Sequence, residues 1–471
     1  MIIYGTLSAF LLGIIKLKRK KYCEAEKLFK NSLVKCSQNL KAICMIFASL
    51  RKQGKLQQAL EATERAYELM PLDYLVLAEK HLLMKFDEYK RVVLCDAQKV
   101  LEVAKDYIFA GLYNDALEIL SEAVARDSCV NNPLMYYYMG YVQKKLGYCK
   151  QALDYYEIGS SKKLSYIFPH RLEEINILED VVKELPLDQT SRYLLGNLLF
   201  YRGRVEEGLK LWEEANELKL KHSVLYRNLG FAYAMFKGDS KKSVQMYLKA
   251  IKLDPWNYRF YVELDDVYAK IGYTDERVRL LEGVPTEIRR DNLLASLSSA
   301  YVDAQEYDKA LHILINTSFT PRENYYGFWE IYVDALLGKG LRYFKKRMNN
   351  EALKCFMDAT RYPRNLGVGA PFYEYRPDLI QLYYAGVACL RMRNREKAHK
   401  FWQQALMRKP SPIDENSFFK ALMLRRLKMI DDSEKLLKEI FSSVDNRIQH
   451  IYEDLEGGLS TYLSYINLTR P

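Results

Sequence analysis

The chain has 471 residues, 49% of them hydrophobic and 28% charged, and a net charge of +11. The length would ordinarily fill two or three globular domains, and the positive charge is spread along the chain without the dense basic stripe of a nucleic-acid-binding surface. Eight cysteines with no C-x-x-C spacing indicate neither a disulfide framework nor a zinc site, and six histidines show no H-E-x-x-H or other metal-ligand spacing, so no cofactor is implied and a reducing cytoplasm fits best.

The first segment, Met1 to Leu17, is apolar. No basic residue precedes it, no small-x-small site follows it, and it is too short to span a bilayer. Gly13 and Ala25 instead match Phe47 and Ala59, 34 residues on, so the segment reads as the first helix of a repeat. The basic run Lys16-Leu17-Lys18-Arg19-Lys20-Lys21 then falls in a turn between two helices and reads as solvated. The same period is plainest in mid-chain, where Leu195-Gly196, Leu199, Trp212 and Ala215 are answered by Leu229-Gly230, Tyr233, Tyr247 and Ala250, with Pro255 closing the unit. A 34-residue period with small residues at fixed offsets marks a helix–turn–helix repeat of the tetratricopeptide type.

Each unit is anchored by a small residue midway along its first helix and an alanine twelve residues later, with a bulky apolar residue four further on. The anchors are Gly13/Ala25, Phe47/Ala59, Ala104/Ala116, Gly140/Ala152, Gly196/Gly208, Gly230/Ser243, Ser298/Ala310, Gly340/Ala352 and Gly386/Ala398. Weaker units surround Asp265 and Ala421/Ser433. Gly54, Gly111, Gly147, Gly203 and Gly272 mark turns within pairs, and Pro71, Pro255 and Pro410 follow second helices. The bulky Tyr136, Tyr233, Trp212, Tyr247 and Trp402 read as core.

Three stretches break the period: a degenerate unit over Leu72 to Val100, an inserted helix within Lys162 to Leu187, and a Gly/Pro-rich loop from Tyr362 to Pro377, with another turn-prone stretch from Ser318 to Gly327. The expected fold is all-α, a superhelical solenoid of about ten helix–turn–helix units with one long loop. Its expected divisions are N-terminal repeats over 1–161, the inserted helix over 162–188, central repeats over 189–320, C-terminal repeats over 321–442, and capping helices over 443–471.

The segments Phe168-Pro169-His170-Arg171-Leu172-Glu173-Glu174-Ile175, Leu194-Leu195-Gly196-Asn197-Leu198-Leu199, Tyr226-Arg227-Asn228-Leu229-Gly230 and Asn365-Leu366-Gly367-Val368-Gly369 occur in this order. Together they resemble the repeat region of tetratricopeptide proteins that carry an N-terminal "domain of unknown function 5107". The resemblance implies a preceding β-rich, carbohydrate-related domain, whereas this chain starts directly in repeat helices and reads as a split or truncated form. A glycine- and glutamate-rich loop expected after Phe319 is replaced by Thr320-Pro321-Arg322-Glu323-Asn324-Tyr325-Tyr326-Gly327.

In resembling proteins the first helix of each pair lines a concave groove. Carried onto this register, the groove positions are Tyr137, Tyr141, Lys144 and Lys145, then Tyr193, Asn197, Phe200 and Tyr201, then Arg227 and Phe231, with Tyr383 and Arg391 near the C-terminus. Tyrosines flanked by cations suit an extended peptide or acidic tail, or they pack against the inserted helix. Asn365, Gly367 and Gly369 are candidates for a ligand-clamping loop, or for packing against a companion domain. The expected function is a non-catalytic scaffold for a protein or peptide partner, with a separately encoded β-rich domain as one candidate. The alternative is an accessory module of a carbohydrate-active protein. Single-stranded RNA binding ranks below both, because the groove positions carry no repeating code, and no membrane role is expected. No nucleophile elbow or phosphate-binding glycine loop points to an enzyme.

Overall fold

The computed structural model describes residues 2–126, 131–321, 327–372, 375–408 and 416–443. The expected capping helices, Cys129, Pro410 and the Arg322–Tyr326 part of the turn-prone stretch lie outside them. Among the described residues there are twenty-five α-helices and no strand. They form two compact units, Met1–Leu229 and Gly230–Pro471.

The first unit opens with five hairpins: α1 (Ile2–Lys18) with α2 (Tyr22–Lys35), α3 (Leu40–Lys52) with α4 (Leu56–Leu69), α5 (Tyr74–Met84) with the short α6 (Asp87–Val92), α7 (Ala97–Ala110) with α8 (Tyr113–Val124), and α9 (Pro133–Lys145) with α10 (Cys149–Ser160). The single helix α11 (Glu173–Glu184) interrupts the series, which resumes with α12 (Gln189–Tyr201) and α13 (Val205–Glu217). Helix α14 (Ser223–Ala232) carries the division between the units and continues as one π-helical turn over Tyr233–Lys237, which absorbs the one residue by which the Gly230–Ser243 spacing exceeds twelve. The second unit proceeds through α15 (Ser240–Leu253), α16 (Tyr258–Lys270) with α17 (Thr274–Glu282), α18 (Asp291–Asp303) with α19 (Tyr307–Asn316), α20 (Gly327–Lys345) with α21 (Asn349–Asp358), α22 (Leu379–Arg391) with α23 (Arg395–Leu406), and α24 (Asn416–Arg426) with α25 (Ile430–Ser443).

The hairpins close because a missing side chain on one helix admits a large ring from the next. Sixteen residues separate Gly13 from Phe29, Gly140 from Tyr156, Gly196 from Trp212, Gly340 from Phe356 and Gly386 from Trp402, and seventeen separate Gly230 from Tyr247. In each case the ring occupies the space that a Cβ on the glycine would need. The second anchor, twelve or thirteen residues on, is buried at Ala25, Ala59, Ala116, Ala152, Ser243, Ala310, Ala352 and Ala398. Where serine takes that place, its hydroxyl donates to the carbonyl of the first anchor: Ser243 to Gly230 and Ser433 to Ala421, each at 2.8 Å. The weak unit at Asp265 solves the crossing differently. Arg277, twelve residues later, donates to both carboxylate oxygens of Asp265 at 2.8 and 3.0 Å, and the pair is buried.

The turns repeat as regularly. The residue seven places after the first anchor is left-handed at Gly54, Gly111, Gly147, Gly203 and Gly272, with φ between 74° and 92°. Lys20, Gln305, Arg347, Arg393 and Lys428 occupy the same offset with φ between 57° and 67°, a conformation that costs a non-glycine residue about 1 kcal/mol and that the hairpin packing enforces.

Candidate functional site

In the first unit charged side chains join successive hairpins. Arg51, at the end of α3, donates to both carboxylate oxygens of Glu79 on α5 at 3.0 and 3.1 Å and to Asp115 on α8 at 2.9 Å. The buried Tyr107 hydroxyl on α7 also donates to Glu79, at 2.7 Å. Burial opposes the charge on Arg51, but the carboxylates of Glu79 and Asp115 outweigh it and raise its pKa. Lys52 also reaches Asp115 at 2.8 Å, so it is the loss of Arg51 that would strand the buried Glu79 carboxylate, at a cost of roughly 3 kcal/mol or more.

Helix α1 also returns to the fourth hairpin. Gly111, in the turn between α7 and α8, lies so close to Lys18 that a Cβ there would stand 2.7 Å from Lys18 Cγ, and the Lys18 ammonium sits 5.3 Å from the centre of the Phe109 ring. Lys16 to Lys21 is thus a helix end and turn, as expected, but Lys18 is not simply solvated.

Helix α11 is fastened on the other side by a buried cluster. Glu174 is fully buried. One of its oxygens accepts from the backbone N–H groups of His170 and Arg171 at 2.7 and 2.9 Å. The other accepts from Arg171 at 2.8 Å and from the Tyr138 hydroxyl at 3.1 Å. Arg171 reaches on to Glu102 of α7 at 2.6 Å. Every strong donor and acceptor in this cluster is therefore matched, the condition for burying charge without a large penalty.

Between these two contacts lies a cavity of about 260 Å³, lined by the ends of α1 and α7, the start of α8, α9 and α11. Three lysines contribute: Lys18, Lys105 and Lys145. Phe109, Tyr113, Tyr138 and Tyr141 supply ring surface, and α11 adds Asn176 and Glu173. Lys105 is committed to Glu102 at 2.7 Å. Burial disfavours its charge, but Glu102 and Asp106 prevail and its pKa is raised. The Lys145 ammonium lies 4.8 Å from the centre of the Tyr141 ring.

The expected groove residues divide sharply. Tyr141 and Lys145 line the cavity. Lys144 does not; it pairs with Asp180 at 2.6 Å and Glu184 at 2.8 Å, both on α11. The groove placement of Tyr137 is corrected: it is fully buried and donates to Asp188 at 2.7 Å, and burial followed by that carboxylate drives its pKa well up. Tyr193 is likewise buried, edge-on to His222 with ring centres 4.9 Å apart. Tyr383 is buried between Tyr384 and Phe419. The half-buried Asn197 accepts from Trp212 Nε1 at 3.0 Å and Asn228 Nδ2 at 3.2 Å. Arg227, half-buried, donates to Asn228 at 3.3 Å, and Tyr201 is 76% exposed. Arg391 stacks 3.5 Å from the centre of the Phe344 ring and donates to the Phe344 carbonyl at 3.0 Å.

The late loop is an internal brace. Asn365 Nδ2 donates to the carbonyls of Leu314 and Thr317 at 2.7 and 2.8 Å, satisfying groups left open at the end of α19. Its own carbonyl accepts from Phe319 N–H at 2.7 Å. Gly367 has φ of 69°, and a Cβ there would lie 3.0 Å from Pro321 Cα. Gly369 is exposed, and a Cβ there would meet no described atom within 4 Å. Lys18, Lys105, Phe109, Tyr113, Tyr138, Glu173 and Asn176 were not among the expected site residues. The basic run pointed at Lys18, but nothing local announces that α1 meets α7.

No family model matches the chain, and no curated protein matches its sequence. Among solved structures, the Naa15/Naa10 complex bound to HypK-THB is similar at 13% identity over 99% of this chain and 98% of that one, with a TM-score of 0.37. Yeast Tom70 is similar at 12% identity over 96% and 100%, with a TM-score of 0.26. YrrB, described as a TPR protein with an unusual peptide-binding site, is similar at 19% identity over 49% and 94%, with a TM-score of 0.19. The fold is tetratricopeptide-like. That character is carried by the chain's own hairpins, with their glycine-to-ring crossings and left-handed turns at one fixed offset. Among the described residues no helix is long and apolar enough to cross a membrane.

Proposed function

We propose that the chain is a non-catalytic, cytoplasmic scaffold that holds a peptide segment of a partner protein, and that the cavity between α1, α7, α9 and α11 is its docking point. The observation that carries this reading is where the cavity lies. It sits where the regular series is interrupted twice, by the inserted α11 and by the return of α1, and it gathers ring surface and ammonium groups that core packing leaves accessible. Rings with adjacent cations are strong anchors for a partner's side chains. The carbohydrate-accessory reading rests on the resemblance at Phe168–Ile175 and Asn365–Gly369. In this chain Arg171, Glu174, Asn365 and Gly367 are occupied in packing, so the resemblance supports a shared architecture more than a sugar site.

A photo-crosslinking residue placed at Asn176 is expected to capture a discrete protein partner, and the same residue at exposed Lys150 on α10 is not. Asn176→Trp, which fills the cavity from an exposed position, is expected to abolish capture by a crosslinker at Tyr113. Identical products from Asn176 and Lys150, or capture undiminished by filling, would refute the reading.

A further inference from the structure

We infer that the cavity reads one acidic side chain of the bound peptide, seated between the ammonium groups of Lys18 and Lys145. This rests on the docking role proposed above and adds its chemistry. The three lysines at the cavity are not equivalent. Lys105 is spent on Glu102, whereas neither Lys18 nor Lys145 pairs with a carboxylate among the described residues. Each instead lies over a ring, Lys18 over Phe109 and Lys145 over Tyr141. Such a cation–π contact restrains the ammonium without neutralising it, so less freedom is lost when an anion arrives.

Counting charge selects the ligand. Against the two uncommitted ammonium groups stands Glu173, the one acidic residue lining the cavity and itself exposed. The surplus is one positive charge, which a single carboxylate balances and a phosphate dianion exceeds. Size agrees, since about 260 Å³ falls below the range of pockets that enclose whole small molecules and suits a side chain or two. The rings of Tyr113 and Tyr141 then offer apolar surface to the residue beside the acid.

The test is fluorescence anisotropy on the full chain with three labelled short peptides, identical except for a central glutamate, glutamine or phosphoserine. The glutamate peptide is expected to bind about fivefold more tightly than the glutamine peptide, with the gap closing as salt is raised. Lys18→Met and Lys145→Met keep the methylene stems against their rings, so each is expected to erase most of that gap by weakening the glutamate peptide far more than the glutamine peptide. Glu173→Gln is expected to tighten the glutamate peptide by about twofold or more. Equal binding of glutamate and glutamine peptides, a preference for phosphoserine, binding by none of the three, or indifference to both lysine substitutions would each overturn the inference. The docking role is judged separately: if Asn176→Trp weakens all peptides alike while the lysine variants change nothing, the cavity still docks a partner but does not read charge.

Discussion

Gly196→Ala measures how tightly the repeat is made. A Cβ at Gly196 would stand 2.6 Å from Trp212 Cδ1, 2.7 Å from its Nε1 and 3.0 Å from the Gly208 carbonyl oxygen. Carbon atoms in contact settle at about 3.5–4.0 Å, so the indole must retreat by roughly an ångström. It has little room, because Trp212 is 3% exposed, stacks on Phe200 with ring centres 4.7 Å apart, and donates to Asn197 at 3.0 Å. Overpacking of this kind costs about 1–3 kcal/mol, and losing the indole hydrogen bond adds about 1 kcal/mol. Replacing a mid-helix glycine by alanine returns about 1 kcal/mol of helix propensity. The net expectation is a loss of about 1–3 kcal/mol. Amide hydrogen exchange over α12 and α13 is the suitable assay, because repeat arrays need not unfold in one step. The decisive comparison is a double-mutant cycle with Trp212→Leu. With the ring gone, Gly196→Ala should become neutral or stabilising. If it costs the same with and without the indole, the ring-into-glycine account of the hairpin is wrong.

Three further outcomes are expected. Gly367→Ala strains a left-handed residue and pushes a methyl toward Pro321, so the last turn of α19 and residues 362–369 should lose exchange protection by about 1–2 kcal/mol; unchanged protection would remove the loop's bracing role. Glu174→Gln leaves Arg171 short of its buried partner, at a cost of about 3 kcal/mol, and limited proteolysis should cut first between Ser161 and Leu172; an unaltered cleavage pattern would show that α11 is held by other means. Burial lowers the pKa of His222 below 6.5, so the unfolded chain takes up the proton first. Its contribution to stability is therefore complete above about pH 6.5 and is lost as pH falls toward the lower folded value. His222→Gln should flatten the stability profile of the first unit as pH falls below about 6.5, and equal slopes in both proteins would refute this.

What the sequence discloses is whatever repeats locally. The spacing of twelve and sixteen residues between anchors, and the left-handed residue seven after the first, are short-range consequences of hairpin geometry. The spacing could be read at Gly140, Gly196 or Gly386, and the left-handed residue at Gly147 and Gly203, without knowing any neighbour. The inserted helix was visible as an interruption of that spacing. The site was not. Tyr137 and Tyr141 lie one helical turn apart on α9, yet one is fully buried against Asp188 and the other lines a cavity. The difference is made by a carboxylate 51 residues from Tyr137. Arg51 and Asp115 are 64 residues apart, and their pairing leaves no mark on the residues around either. At Asp265 and Arg277 an ion pair fills the place of the usual small-residue crossing, which a rule of small residues cannot anticipate.

Those long-range pairs also explain why a binding site would sit at an interruption. In a strictly regular array every first helix meets the same neighbours, and a cation on one helix finds an acid on the next. Within the first unit Arg51 on α3 and Lys80 on α5 each have a carboxylate of another repeat helix within 3.0 Å. Matching of this kind satisfies the fold and leaves nothing for a partner. The return of α1 brings Lys18 against Phe109, where no acid pairs with it, and the insertion of α11 takes Asp180 and Glu184 to Lys144 while Lys145 turns to Tyr141. Among the described residues two ammonium groups thereby remain unmatched at one cavity, because the irregular elements, not the repeat, choose their neighbours. Stability alone gives no reason to keep them charged, so Lys18→Met with Lys145→Met should leave the melting temperature within about a degree of the parent. A large loss of stability in that double variant would mean that the lysines serve the fold and not a ligand.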